Sequence, residues 1–412
     1  MENNMRLLDD IVAARPQIQS IRRDIHAHPE LRFAEHRTSE IIATNLRRWG
    51  VEVHRAIGGT GVVGVIRGGG SDATRATGAI LGRTIGLRAD MDALPIQEAN
   101  DFAHRSTYEG RMHACGHDGH TAMLLAAAHY LAKAPNFSGD VVLIFQPAEE
   151  AGAGAQKMLD DGLFERFPCD AVFAIHNWPG LAVGTLGICN GPAMASTSEF
   201  EIRVQGRGAH AAMPDLGVDP IFVAVQIVQG LQALVTRVKR PIDRAVLSIT
   251  MIHAGDTTNV IPDTATISGT VRTFDETVTD LIEEGMRRIA QSTAQAHGAQ
   301  AQLRFERNYP PTVNHAREAR FAAEVAEEVL GPANVRRDME PTMGAEDFSF
   351  LLRQCPGAYL LLGNGTTGSH RAAGHGAGPC TLHNASYDFN DELIPIGASY
   401  WVRLVERFLS DA

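Results

Sequence analysis

Cysteine is scarce, with five in 412 residues. So sparse and odd a set makes no disulfide framework and suits a reducing compartment. Basic charge is also short: Lys and Arg number 37 against 48 Asp and Glu, for a formal net charge of −11. That balance argues against a nucleic-acid partner, because phosphate-backbone binders carry a basic excess. No apolar run approaches the about 18–20 residues that cross a bilayer. The longest candidates, such as Val141–Phe145 and Ala171–Ile175, are strand-sized, so no membrane partner is expected. The opening MENNMRLLDD lacks a basic stretch followed by an apolar one, so no secretory leader and a cytoplasmic location are expected. Hydrophobic residues at 44% and charged residues at 21% are ordinary globular usage and exclude a disordered chain. The length exceeds one ordinary core and predicts two domains. What is plentiful is histidine, with 17. In an acidic, cysteine-poor chain that leaves metal chemistry open.

Apolar periodicity sets out the elements. Leu7, Leu8, Ile11, Val12, Ile18, Ile21 and Ile25 recur at three- and four-residue spacing and predict a helix. A second runs from Thr38 to Trp49 and stops at Gly50. Strands follow at Val51–Val53, Val62–Ile66 and Thr84–Arg88, then a helix from Gly119, strand Val141–Phe145, a helix from Gly154 and strand Ala171–Ile175. Strands alternating with helices predict an α/β domain with a mixed, mostly parallel sheet covered on both faces. The pattern then changes. Phe200–Gln205, Val246–Ile252, Thr264–Arg272 and Leu303–Asn308 read as strands, with long helices at Pro220–Lys239 and Glu276–His297. This β-α-β-β-α-β order predicts an inserted α+β, ferredoxin-like domain. The α/β pattern resumes with a helix at Ala316–Leu330, strand Tyr359–Leu362 and a helix at Leu393–Leu409. Residues 1–187 and 308–412 are thus expected to form one discontinuous catalytic domain, and 188–307 the insert.

The reactive side chains fall where ligands bind in open α/β sheets, beyond the carboxyl ends of the strands. Thr84–Arg88 runs into Asp90 and Asp92, Val141–Phe145 into Glu149 and Glu150, and Ala171–Ile175 into His176. The segment His113-Ala114-Cys115-Gly116-His117-Asp118-Gly119-His120 leads into a helix. Singly, each has a bland reading: loop carboxylates, a solvated acidic pair, a hydrogen-bonded histidine. Cys115-x-His117 is stronger, because thiolate and imidazole at that spacing can ligate one metal or a pair. The donor types suit zinc, with manganese, cobalt or nickel as alternatives. One glutamate of the Glu149-Glu150 pair can bind metal while the other moves a proton.

With these motifs the chain resembles the metal-dependent amidohydrolases that include hippurate hydrolase, N-acyl-amino-acid amidohydrolases and indole-acetyl-amino-acid hydrolases, with aminoacylase and carboxypeptidase G as distant relatives. The match runs from Arg22-Arg23-Asp24-Ile25-His26-Ala27-His28-Pro29-Glu30-Leu31 through Leu87–Pro95, His113–His120, Phe145–Glu150, Ala174–Asn177, Gly206–His210, Asn259–Asp263 and Gly344–Phe348 to Leu382-His383-Asn384. The resemblance implies two divalent metal ions per subunit. Cys115 would bridge them, with Glu150 and His383 completing one site and His117 and His176 the other. Glu149 would be the general base and Asp92 the carboxylate that holds a ligand imidazole in its working tautomer. The insert would be a lid or dimerisation domain, giving a homodimer or homotetramer. Its His210 would stabilise the oxyanion, in relatives often in the neighbouring subunit's site. Asn259, Arg272 and Gly344 would bind substrate. Asp90, His26 and His28 carry no assigned chemistry. The implied activity is hydrolysis of the amide bond of a small N-acyl or N-aroyl amino acid. Alternatives are a dipeptidase or carboxypeptidase, an N-acetyl-diaminopimelate-type deacetylase, and a non-catalytic amino-acid-conjugate binding protein.

Overall fold

The computed structural model describes residues 5–68, 83–133, 135, 137–366 and 373–410. The chain divides into two compact units. The first comprises Met1–Ala193, Val313–Glu340 and Asp347–Ala412; the second comprises Met194–Thr312 and Pro341–Glu346. The short segment Pro341–Glu346 belongs with the second unit because Thr342 and Gly344 carbonyls accept the Ala195 amide.

Helices and strands run through the chain in a fixed order. They are α1 (Asp9–Ala27), α2 (His36–Arg48), β1 (Glu52–Ile57), β2 (Gly61–Arg67), β3 (Thr84–Asp90), α3 (His117–Lys133), β4 (Asp140–Gln146), α4 (Gly154–Asp160), β5 (Ala171–Pro179) and β6 (Leu186–Ile188). The second unit holds β7 (Thr197–Gln205), α5 (Pro220–Ala233), β8 (Ala245–His253), β9 (Thr264–Thr273), α6 (Glu276–Ala296) and β10 (Gln300–Tyr309). The first unit resumes with α7 (Ala316–Leu330), β11 (Val335–Arg336), α8 (Phe348–Gln354), β12 (Gly357–Gly365) and α9 (Leu393–Ser410).

The first unit is built on an eight-stranded sheet, ordered β1-β2-β4-β3-β5-β12-β6-β11. Its centre, β4-β3-β5-β12, is parallel, while β2 and β6 join antiparallel. Every residue of β3 and of β12 is buried. Strands covered on both faces tend to read as near-continuous apolar runs, as β12 does at Tyr359–Leu362. Helix α3 is buried over most of its surface, from His117 to Leu131, and packs against α1 and α9. A helix apolar on most sides belongs in an interior. Its sequence instead concentrates polar groups in the first turn, at His117, Asp118 and His120.

In the second unit, β7 alternates buried and exposed, with Ser198, Phe200, Ile202 and Val204 inward. Its antiparallel sheet runs β8-β9-β7-β10, the ferredoxin-like order, with α5 and α6 on the apolar face. Asp219 caps α5 by accepting the Ile221 amide at 2.8 Å, and Pro220 occupies the first helical turn. Pro220–Val238, α5 with the π-turn that follows it, is 19 residues long and apolar enough by length and composition to cross a membrane. Gln226, Gln229 and Gln232 break its apolar run in the sequence. Val223, Ala224, Ile227, Leu231 and Leu234 nevertheless pack it onto the sheet.

Candidate active site and metal centre

The parallel strands of the first unit deliver their reactive groups to one edge. β3 ends on Asp90, with Asp92 two residues on. β4 ends on Gln146, and Pro147-Ala148 carry the chain to Glu149 and Glu150. His176 lies within β5. Cys115 and His117 flank the amino end of α3, separated by Gly116 with φ 93°. A Cβ at Gly116 would stand 2.3 Å from Asn177 Nδ2 and 2.4 Å from Tyr387 Oη. Only glycine allows both the turn and the close approach. His383, on the loop before α9, also has a left-handed φ of 60°. Its amide donates to the Ala114 carbonyl at 2.8 Å, tying it to the Cys115 segment.

The donor atoms fall into two triads that share a sulfur. Cys115, His117 and His176 offer atoms all within 4.8 Å of one another, and so do Cys115, Glu150 and His383. Glu149 joins His117 and Glu150 in a third group at the same spacing. Cys115 Sγ stands 3.3 Å from His176 Nε2. His383 Nε2 stands 2.9 Å from Glu150 Oε1. That oxygen is buried and makes no hydrogen bond among the described residues.

Neighbouring acceptors fix which nitrogen each imidazole presents. His117 Nδ1 donates to Asp92 Oδ1 at 3.0 Å, leaving Nε2 buried and, among the described residues, without a hydrogen-bond partner. His176 Nδ1 donates to the Asn177 carbonyl at 2.6 Å, leaving the Nε2 lone pair toward Cys115. This is how metal-ligating histidines are ordinarily oriented. His120 is different. Its Nδ1 donates to Asp90 Oδ1 at 2.6 Å, and its Nε2 accepts from the Asn177 amide at 2.9 Å and from Asn177 Nδ2 at 3.0 Å. Both nitrogens are used, so His120 braces the site.

The charges favour a bound cation. Burial pushes the Cys115 thiol well up, and Glu150, Glu149 and Asp90 push it further. Burial lowers His117, but Asp90 and Asp92 outweigh it and hold the ring up at about 10. Burial, helped by His120, holds His176 well down in its neutral, ligating form. A thiol ringed by carboxylates ionises only when a metal compensates it. Orphaned Nε2 and Oε1 atoms around one sulfur therefore fit a metal centre, with a donor set for zinc or its neighbours.

Behind the site lies a buried brace that the sequence did not announce. Arg88 Nε donates to Gln146 Oε1 at 2.8 Å, Nη1 to Asp90 Oδ2 at 2.7 Å and Nη2 to Asp347 Oδ1 at 3.0 Å. Asp347 accepts the Ala155 amide at 2.9 Å, and its own amide reaches Glu149 Oε1 at 3.4 Å. Asn177, Arg88 and Asp347 lie within the motifs that carry the family resemblance, but only their partners show what they do. His120 was hinted at by its position three residues after His117, one turn along the same helix face.

Four expected site residues belong to the second unit. His210 is exposed, in a short two-strand pairing with Val260. Its Nδ1 accepts the Ala212 amide at 3.1 Å, which leaves the ring proton on Nε2. Asn259 is exposed, and its Oδ1 accepts from Thr257 Oγ1 at 2.9 Å. Arg272 on β9 is half-buried, makes no salt bridge among the described residues, and has its guanidinium pKa lowered by burial. Gly344 is exposed, its amide donating to Thr342 Oγ1 at 3.3 Å. Of the Gly344–Phe348 motif, Asp347 and Phe348 belong to the first unit.

Residues 86–407 match the profile of "Peptidase family M20/M25/M40". The chain is 40% identical over 405 residues to hippurate hydrolase of Campylobacter jejuni, covering 98% of this chain and 100% of that protein. It is 41% identical over 366 residues to thermostable carboxypeptidase 1 of Saccharolobus solfataricus, covering 87% and 88%. A solved structure from Bacillus subtilis, described as a dinuclear metal binding peptidase from the M20 family, matches with a TM-score of 0.81 at 34% identity, covering 97% of this chain and 100% of that one.

Proposed function

The chain belongs to peptidase family M20/M25/M40, a family of hydrolases, and from that premise we propose that it cleaves the amide bond of N-acyl or N-aroyl amino acids. The products would be a carboxylic acid and a free amino acid. The observation that carries this reading is the pair of donor triads sharing Cys115, with the buried carboxylate of Glu149 beside them. Cys115, Glu150 and His383 would hold one divalent ion, and Cys115, His117 and His176 the other. When bound, such ions acidify a water and polarise the scissile carbonyl. Glu149 takes the proton from the attacking water and returns it to the leaving amine. Asp92 keeps the proton on His117 Nδ1 so that Nε2 faces inward. His210, with its proton on Nε2, donates to the carbonyl oxygen as negative charge develops there. Arg272 and Asn259 receive the amino-acid carboxylate; a half-buried guanidinium without a salt bridge supports that role. Gly344 would also contact the substrate.

The 41% identity to a carboxypeptidase supports a second reading, release of a C-terminal residue by the same residues. We also propose that the second unit pairs with that of a second copy. β8 is an open edge of its sheet, and Met251 and Ile252 on it are exposed, as are Ile221, Phe222 and Val225 on α5.

The test is a panel of N-benzoyl-glycine, N-acetyl-amino acids, free dipeptides and N-acetyl-diaminopimelate, run with zinc, manganese, cobalt and nickel. Turnover of the N-acyl substrates is expected. Cleavage of dipeptides alone would favour the peptidase reading, and no turnover across the panel would sink both.

A further inference from the structure

Three alanines within six residues adopt left-handed φ: Ala148 at 53°, Ala151 at 56° and Ala153 at 52°. They bracket Glu149 and Glu150. Left-handed backbone is strained for any residue with a Cβ, and persists only where the surroundings enforce it. At Ala148 the carbonyl accepts the Gly154 amide at 3.1 Å, and the amide is held by Glu35, the residue before α2. Glu35 is fully buried. Its Oε1 accepts the Ala148 amide at 2.9 Å, and its Oε2 accepts Thr60 Oγ1–H at 2.5 Å. Burial pushes this carboxyl up to about 7, the Thr60 and Ala148 hydrogen bonds oppose that rise, and it forms no salt bridge among the described residues. Arg32 closes the same turn from the solvent side, donating to the Ala151 carbonyl at 3.1 Å. For general stability a buried carboxyl without a cation is a poor choice. Its main-chain bond is spent on the residue immediately before Glu149.

We propose that Glu35 is a positioning residue for the reaction, its carboxyl clamping Ala148 in the left-handed conformation from which Glu149 and Glu150 are aimed. The inference rests on the roles proposed above for those two glutamates. Glu149 depends on it for its approach to the substrate's water, and Glu150 for its place beside Cys115 and His383.

The experiment compares Glu35→Leu, Glu35→Gln, Ala148→Gly and the double variant Glu35→Leu/Ala148→Gly. Two quantities are measured: kcat and KM on N-benzoyl-glycine, and zinc affinity by chelator competition, which needs no turnover. Glu35→Leu is expected to lose about 100-fold in kcat with KM within about twofold, as misplaced catalytic groups do. Its zinc affinity is expected to fall about tenfold. Glu35→Gln keeps an acceptor for Ala148, lets Thr60 turn its hydroxyl, and should retain most of both. Glycine takes φ > 0 without strain, so Ala148→Gly alone should change little. In the Glu35→Leu background it should restore about fivefold to tenfold of both quantities. A merely structural role for Glu35 would show no such rescue, and its absence overturns the inference. So does a Glu35→Leu protein with wild-type kcat and zinc affinity. If Glu35→Leu does not fold, Glu35→Gln in the Ala148→Gly background carries the test. There any kcat or zinc-affinity loss in Glu35→Gln must shrink, and an unchanged loss overturns the clamp. If no variant, wild type included, turns over substrate yet the zinc affinities follow the expected order, the proposed function fails and the clamp stands.

Discussion

Asp92 holds His117 by its Nδ1 at 3.0 Å and leaves Nε2 buried and, among the described residues, without a hydrogen-bond partner. The same carboxylate accepts the Glu150 amide through its other oxygen at 3.0 Å. One side chain thus sets the tautomer of one proposed ligand and the main-chain position of another. Asp92→Asn offers an amide N–H to one of these partners, and either the tautomer or the turn gives way. We expect metal affinity to fall by about 10–100-fold, the usual cost of losing such a partner. Chelator competition measures this, and an unchanged affinity would remove Asp92 from the centre.

Glu149→Gln should leave the metal in place and remove the base. Glu149 is buried beside His117 and Glu150, while two triads are complete without it. Elemental analysis should return the wild-type stoichiometry while kcat drops by about 10²–10⁴-fold, the range for lost general acid–base catalysis. Retained turnover would refute the assignment. Lost metal would mean that Glu149 is a ligand.

Much of this site was legible because its parts are of two readable kinds. β3 and β5 are apolar runs that end on or contain Asp90 and His176, and a polar group closing a buried strand stands out. Cys115 and His117 carry their chemistry in their identity and spacing. Other parts had no such mark. β6 and β11 are three and two residues long and exist through pairings with β12 and with each other. Ala148, Ala151 and Ala153 are left-handed where glycine would have signalled the turn, and alanine gives no compositional sign of it. The insert's strands were legible through their alternation. Its outer apolar face was not, because periodicity shows which residues share a face and gives no sign of whether a core covers it.

His26 should make stability depend on pH. Its Nδ1 faces Asp118 Oδ2 at 2.9 Å and its Nε2 faces Glu98 Oε1 at 3.2 Å. Burial lowers its pKa, but Asp118 and Glu98 outweigh that and raise it from 6.5 to about 9. Below about pH 6.5 the ring is protonated in folded and unfolded chains alike, and its contribution is complete. Between 6.5 and 9 only the folded chain keeps the proton, so the contribution shrinks as pH rises, and above about 9 it is gone. The full amount is on the order of 3 kcal/mol. Urea unfolding of the metal-loaded protein at pH 6, 7.5 and 9 should show this fall, and His26→Gln should flatten it. A wild-type stability that rises over that range, or a slope that survives the substitution, would show that His26 is not charged in the fold.

Ile221 and Phe222 sit at the amino end of α5, with Val225 one turn on, and all three are exposed. β8 carries exposed Met251 and Ile252 along an edge that no described strand covers. An edge strand nine residues long, flanked by apolar side chains, invites pairing with its own copy about a two-fold axis. Charge placed on that surface should therefore separate the copies without touching the first unit's metal ligands. Phe222→Glu combined with Met251→Lys is expected to sediment as a monomer at micromolar concentration where the wild type sediments as a dimer or tetramer. Metal content should be unchanged, because all five proposed ligands lie in the other unit. A monomeric wild type, or a variant of unchanged mass, would leave this face without the partner proposed for it.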